Sequence, residues 1–377
     1  MTRLFFVSAN AGYGAYIYLV GLLGLILSGC APVIFRRPVP KQPQTSLHQA
    51  IFKRTDPAGQ LLWQLRAEEV EVAGEVVQLK QIQGTFYHKQ EPIYSLQAPH
   101  GQVHQYSHFI QLQGPIVVEN VRDRTTLRSQ RIQWHPKTGQ LMAQQQVLLQ
   151  HPQFEMKGQR FQASTQTRQS RLSGAVTVTW LNRNLQLQAQ EINWLPRQKT
   201  LSAHSMIPAR VTVQPSADQP LTSNKWQHVQ AQRVNWLLPS QQLVFDEAVE
   251  IRSSESKMHI KSPRLVMSLT EDKWHSPRGL HVQYQGISAQ AKQGRLEASQ
   301  TLHLQDQVQV QGLPQQAQLR AQALTWNMAT QTVQARGQLV YQQLQPWMRM
   351  TGTKAAGNLR EQTLEVEGGE AVVEIVP

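Results

Sequence analysis

Three observations in the sequence predict an all-β chain, an elongated antiparallel jelly-roll or folded groove of about ten hairpin repeats behind an N-terminal signal or anchor. Apolar and polar residues alternate at period two, as in Leu185-Gln-Leu-Gln-Ala-Gln190 and Val308-Gln-Val-Gln311. That is the pattern of a strand with one buried face. A motif of about thirty residues recurs along the body of the chain. Helical periodicity is nearly absent after Cys30.

The composition agrees with a folded body. The chain has 377 residues, 40% of them hydrophobic, enough for a core without metal or disulfide support. The single cysteine excludes an internal disulfide framework and any zinc site built on two thiolates. Charged residues make up only 16%, too few for a coiled coil with charged flanks. The net charge is +13, but the basic residues are scattered and the densest cluster is Arg36-Arg37. A nucleic-acid binder concentrates its cations, so no nucleic acid is expected. A diffuse positive field suits an anionic partner such as a phosphorylated lipid, or is simply a basic surface.

The first element is a leader over residues 1–29. Arg3 precedes an apolar run, densest from Ile17 to Leu27, which ends in Leu27-Ser28-Gly29-Cys30. A positive start, an apolar run and small residues before the cut make a secretory signal. The last four residues match the bacterial lipobox, in which the cysteine thiol accepts a diacylglyceryl group. Cys30 is the expected lipid attachment site. The rival reading is an uncleaved span, for which Tyr13–Leu27 is short. Residues 30–50 carry Pro32, Pro38, Pro40 and Pro43 and read as an extended tether.

The repeat follows. In its four best copies a small residue (Ser129, Ala189, Ala231, Ala321) is followed at +3 by an aliphatic residue and at +5 by tryptophan. These give the pairs Ile132 and Trp134, Ile192 and Trp194, Val234 and Trp236, Leu324 and Trp326. Turn-prone residues follow. Apolar residues return at +12 and +14, as Leu201 and Ala203 or Leu243 and Phe245, and often again at +18 and +20, as Val249 and Ile251. Weaker copies start at Ala67, Ala98, Gly158, Ser262, Ala291 and Gly352. The parity of the alternation changes between the small residue and +3. A strand that switches its buried face there must bulge or bend, and the small residue relieves the crowding. Each copy is therefore two long bent strands joined by a hairpin, about twenty strands in all.

Bent strands fold an antiparallel sheet over on itself, with two faces about 10 Å apart. The spacing of the repeats is broken near residues 204–225, which predicts an insertion or hinge at 214–225 between repeats at 51–213 and 226–377. The apolar end of the chain, Ala371-Val-Val-Glu-Ile-Val376, suits strand pairing with another strand. A parallel β-helix, and with it a polysaccharide-acting enzyme, is the structural rival, although the linkers look like hairpin turns.

With a lipobox, a Pro-rich tether and Leu-x-Ala-x-x-Ile-x-Trp/Tyr hairpins, the chain resembles the LptC/OstA-like (LptA-like) family of lipopolysaccharide export, in a long, lipobox-bearing LptC-related form. The resemblance covers residues 51–377 as a degenerate pattern. It implies an OstA-like β-jelly-roll whose splayed sheets hold acyl chains inside. It also implies a periplasmic component that receives lipopolysaccharide from an inner-membrane ABC transporter and passes it towards the outer membrane. The implied partners are lipopolysaccharide, that transporter, and an LptA-like bridge protein or outer-membrane translocon met by edge-strand pairing. The membrane is contacted through the lipidated cysteine, the inner membrane being favoured over the outer.

The resemblance implies no catalytic residue and no cofactor. No Gly-x-Ser-x-Gly, phosphate loop or His-Glu-x-x-His occurs in the chain. His100, His104 and His108 are spaced as on a helical metal face, but an extended strand spreads them apart, so no metal site is expected. The candidate groove residues are Ile132, Trp134, Ile192, Trp194, Val234, Trp236, Leu324 and Trp326. Core packing accounts for the tryptophans as well as groove lining does. An AsmA-like phospholipid bridge and a non-binding scaffold lipoprotein remain as alternatives.

Overall fold

The computed structural model describes residues 45–373, apart from 205–210, 216–227 and short interruptions at 108, 123, 136, 165, 168, 182–184, 196–197, 254–256, 272, 298–299, 314–315 and 345–346. Among the described residues every element is a β-strand. The chain divides into two compact units between Gln145 and Gln146. The leader, Cys30 and most of the expected 214–225 insertion lie outside the described residues.

The first unit contains β1 (Thr45–Thr55), β2 (Leu61–Ala73), β3 (Val76–His88), β4 (Glu91–His104), β5 (Ile110–Asn120) and β6 (Thr126–His135). Each is antiparallel to the next. The first strand starts at Thr45, inside the stretch read as a tether, because backbone pairing with β2 reaches Thr45↔Val72. Strand β7 (Gln140–His151) runs through the division between the units.

The second unit opens with β8 (Phe154–Ser164), β9 (Ser170–Trp180) and β10 (Leu185–Leu195). Next come two interrupted strands, β11 (Thr200–His204) with β12 (Val211–Pro215), and β13 (His228–Ala231) with β14 (Arg233–Leu237). Two long strands, β15 (Gln242–Ser253) and β16 (Met258–Ser268), precede a further broken pair, β17 (Lys273–Ser276) with β18 (Leu280–Tyr284), and β19 (Ile287–Ala291) with β20 (Gln293–Leu296). The unit closes with β21 (Thr301–Leu313), β22 (Ala317–Asn327), β23 (Thr332–Leu344), β24 (Trp347–Asn358), β25 (Thr363–Glu367) and β26 (Ala371–Val373). The broken pairs are halves of single long strands. Thus β11 and β12 both pair with β10, one with each half, and β25 and β26 divide β24 in the same way.

The bend predicted from the parity change is present in both units. Register slips between Ala189 and Glu191 on β10 and between Ala321 and Ala323 on β22, so that Gln190 and Gln322, at +1 of the repeat, are the skipped residues. The facing strand contributes residues at positive φ: Gln81 (50°), Gly114 (98°), Gly174 (86°) with Ala175 (49°), Glu247 (67°) with Ala248 (51°), and Asp306 (62°) with Gln307 (55°). Such a pair turns the strand and raises its twist. Backbone bonds pin the bend, as Gln232 N–H to Glu247 O (3.1 Å) and Lys292 N–H to Asp306 O (2.9 Å).

The small residue beside the bend has the role expected of it. A Cβ on Gly158 would sit 2.8 Å from Leu172 Cδ1. Where the position is serine, its hydroxyl serves the displaced backbone. Ser129 Oγ donates to Gln144 O (2.6 Å) and accepts from Arg131 N–H (3.4 Å). Ser262 Oγ donates to Gly279 O (2.8 Å) and accepts from Arg264 N–H (3.1 Å). A buried backbone group left unpaired would cost as much as a lost hydrogen bond, so serine is a suitable small residue at a bulge.

Every long strand is thereby split into two halves, and within each unit the halves form two half-sheets. Register aligns the inward residues of one half-sheet of the second unit in a continuous row. Trp194, Leu201, Trp236, Leu243, Met267, Trp274, Leu296, Leu302, Trp326, Val333, Gly357 and Leu364 are each the partner of the next. The other half-sheet carries an equivalent row, in which Ile251, Ile260, Val282, Ala289, Val310, Leu319, Tyr341 and Met350 follow in register. These rows supply much of the buried core, with Leu243, Ile251, Val282 and Leu302 fully buried. Burying one such Leu, Ile or Phe contributes about 1.5–3 kcal/mol, so the rows hold the half-sheets together.

Candidate functional site

The repeat residues singled out in the sequence fall on the inward rows. Ile132, Ile192, Val234, Leu324, Trp236 and Trp326 are buried, and Trp134 and Trp194 are partly buried. The hairpin register is the one the spacing predicts, with +5 opposite +12 and +3 opposite +14. Trp236 faces Leu243, Val234 faces Phe245, Trp326 faces Val333 and Leu324 faces Ala335.

Alternation places the intervening residues on the outer face, where they form a polar mesh. Asn193 Nδ2 donates to Glu191 Oε1 (2.9 Å), and Arg171 Nε donates to Asn193 Oδ1 (3.2 Å). Ser202 Oγ donates to Asn235 Oδ1 (2.6 Å), which leaves His204 Nε2 as the donor to Ser202 Oγ (2.9 Å). Burial holds His204 below the usual histidine range, and the nearby Arg233 guanidinium pushes it further down. His281, bonded to Ser288 Oγ (2.7 Å), is lowered mainly by burial.

Three of the four repeat tryptophans touch an aromatic ring from the opposite half-sheet of their own unit, edge to face. Trp134 meets Phe86 (centroids 5.1 Å) and Trp63 (6.1 Å). Trp236 meets Trp180 (5.0 Å) and Phe154 (5.2 Å). Trp326 meets Tyr284 (5.3 Å). Edge-to-face pairs contribute about 0.5–1.5 kcal/mol beyond their buried area. The tryptophans are thus both core and wall, spanning the interior from sheet to sheet. Their partners Trp63, Phe86, Phe154, Trp180 and Tyr284 were missed in the sequence. They sit near strand ends outside the +3/+5 motif, and the only signal was an aromatic residue beside a turn.

Two cavities lie between the half-sheets of the second unit. The smaller, with a cavity volume of only about 10 Å³, is walled by Trp180, Leu187, Ile192 and Trp236 among others. The larger, with a cavity volume of about 70 Å³ and partly open to solvent, has Leu324, Trp326, Val333 and Leu364 on one side and Val310, Leu319 and Tyr341 on the other. The smaller is lined by apolar residues, and the larger is mainly apolar with Asn358, Gln362 and Thr363 at its edge. The indole N–H groups of Trp180, Trp236 and Trp326 are buried and find no acceptor among the described atoms. An unmet buried donor costs about 1–3 kcal/mol.

Among the described residues, the linings of these cavities include no Asp, Glu, His, Lys, Arg or Cys side chain. Among the described residues no group of three His, Cys, Asp or Glu side chains is placed to hold a metal ion. His100 and His104 lie on β4, where His104 packs against the Phe109 ring (5.7 Å), and His108 is outside the described residues. Chemically, the interior offers an apolar slot with a few single donors, which suits hydrocarbon.

Comparison with known proteins agrees with this geometry. The family model described as "Lipopolysaccharide-assembly, LptC-related" matches residues 16–181 and 247–369. A search of the curated proteins gives no match. The stretch between the two matched segments holds β10 to β14, whose residues continue the same inward row without a break.

Proposed function

The chain belongs to the LptC-related family of lipopolysaccharide-assembly proteins, and from that premise we propose that it accepts lipopolysaccharide from an inner-membrane ABC transporter and shelters its acyl chains between the half-sheets on the way to the outer membrane. The observation that carries this reading is the pair of facing apolar rows, which leave an open apolar cavity towards the end of the second unit. Each methylene kept out of water is worth about 0.8 kcal/mol. A slot of this kind therefore removes most of the barrier to moving a lipid through the periplasm, and the transporter supplies the energy.

Cys30 anchors the chain to the membrane through its lipid, with the body in the periplasm. The ends of the fold are suited to docking. Among the described residues β1 pairs only with β2, and β25 and β26 pair only with β24. A strand edge is a template for another chain. A bridge protein of the same fold, or the outer-membrane translocon, adds its own strand there. The C-terminal stretch expected to pair with a partner uses one side of β26 on its own chain, with Met348↔Val373 in register, and offers the other.

The test is the lipid that the full-length protein carries when extracted from its own membranes in mild detergent. Lipopolysaccharide in stoichiometric amount supports the proposal. Phospholipid alone would favour an AsmA-like bridge, and no lipid at all would favour a scaffold.

A further inference from the structure

The outer face of the second unit carries a compact charged cluster that takes no part in the interior. Register sets it out as a grid. In one row Arg252 on β15 faces His259 on β16, and His228 on β13 faces Arg252 from the other side. In the next row Glu250 faces Lys261, and Lys261 faces His281 on β18. These residues alternate with the buried inward residues Ile251, Ile260 and Val282, so they share one face. Strand β19 closes the grid with Gln290 opposite His281 and Ser288 opposite Gln283, and adds no charge.

Among the described residues of these rows Glu250 is the one carboxylate. Arg252 Nη2 (2.9 Å), His259 Nε2 (3.6 Å) and Lys261 Nζ (3.9 Å) all approach it. The Arg252 and Lys261 side chains are nevertheless more than half exposed. Exposed ion pairs hold weakly, so both cations can turn to another anion. Burial holds the His281 ring below the ordinary histidine range, and Lys261 and His259 push it further down. At neutral pH the cluster therefore lacks a charge that it gains once an anion offsets those neighbours.

We propose that Arg252, Lys261 and His281 form an outer-face site for a doubly charged tetrahedral oxyanion such as a phosphate group, and that binding draws a proton from solvent onto His281. Neighbouring strands lie about 4.8 Å apart, so three adjacent strands bring these long side chains within reach of one small anion. Arg252, Lys261 and a charged His281 set against Glu250 leave a surplus of two positive charges, which matches such a group. His281 Nε2 lies 2.7 Å from Ser288 Oγ. A charged ring must donate there, which releases the Ser288 hydroxyl proton to the ligand. Bonds from charged donors to an oxyanion are stronger than neutral ones. The site is on the opposite face from the lipid slot and does not rest on it.

The experiment is calorimetry of sulfate binding to the full-length protein in detergent. Sulfate keeps both charges from pH 5.5 to 7.5, so pH acts on the protein alone. Wild type should bind sulfate about tenfold more tightly at pH 5.5 than at 7.5, a usual size for coupling between two sites. Lys261→Gln should weaken binding about tenfold at both pH values. His281→Gln should bind weakly and equally at both. Lys137→Gln, which removes a cation from the first unit, should bind as wild type does. Inorganic phosphate and glucose 1-phosphate, compared at pH 7.5, separate the two sources of the group. Tighter binding of the sugar phosphate supports a site for a phosphorylated headgroup, and tighter or equal binding of inorganic phosphate supports a site for the free ion. Equal losses in Lys261→Gln and Lys137→Gln would reduce the cluster to part of a diffuse basic surface and overturn the site. So would a wild-type affinity that ignores pH, a pH dependence that survives His281→Gln, or no binding at all.

Discussion

Trp180 and Trp236 meet edge to face with ring centroids 5.0 Å apart, one from each half-sheet of the second unit. The contact joins the two half-sheets, with Phe154 packed on the same Trp236 ring. Each ring is more than nine-tenths buried. Trp180→Ala and Trp236→Ala should each lower stability by about 3–5 kcal/mol in urea unfolding. The double variant should lose less than the sum by about 0.5–1.5 kcal/mol, the coupling of an aromatic pair. Strict additivity would mean that the rings do not meet in solution.

The bends make a second prediction. Gly114 has φ of 98° at a bend, and a Cβ there would run into the Pro99 ring; Gly59 has φ of 78° with open space around it. Both glycines to alanine incur the left-handed backbone cost of about 1–2 kcal/mol. Only Gly114→Ala adds a clash with the facing strand. It should therefore be clearly the more destabilising of the two by thermal unfolding. Equal losses would show that the bend tolerates a side chain.

His204 and His281 set a pH dependence. Both are held below their ordinary value of 6.5, chiefly by burial. Arg233 adds to the effect at His204, and Lys261 and His259 at His281. The unfolded chain therefore takes up protons on these rings at a higher pH than the folded chain does. Their stability is present above about pH 6.5 and is lost as pH falls through the lower folded values. The melting temperature should be flat from pH 8 to 7 and fall below about 6.5. His204→Gln with His281→Gln should reduce that fall. An unchanged slope would place the acid sensitivity elsewhere.

Cys30 is tested from the sequence argument alone. Wild type should partition with membranes and lose about thirty residues on processing, whereas Cys30→Ala should be released or remain unprocessed. The same membrane fraction and electrophoretic mobility in both would remove the anchor from the account.

The hairpins were legible because strand periodicity and the +3/+5/+12/+14 offsets are local. Trp236 opposite Leu243 and Leu324 opposite Ala335 follow from counting through a turn. The bend was legible only as a change of parity. Its positive-φ residues are largely Gln, Glu, Asp and Ala rather than glycine, so no residue type announced Gln81 or Glu247. The contacts across the interior were not legible. Trp134 with Phe86, or Trp326 with Tyr284, depends on how far the half-sheets close, which no offset along the chain encodes. The division at Gln145 and Gln146 lies inside β7, at a Gln144-Gln145-Gln146 run where both division residues take positive φ (66° and 58°).

The central claim is that the facing inward rows hold lipopolysaccharide, and the most direct measurement is site-resolved photo-crosslinking in cells with mass spectrometry of the captured lipid. A photoreactive residue at Ile132, Ile192, Val234 or Leu324, all inward and buried, should capture lipopolysaccharide. The same residue at Gln133 or Asn193, between inward neighbours on the opposite face, should capture none. Equal labelling of both faces, or an inward adduct that is not lipopolysaccharide, would contradict the account.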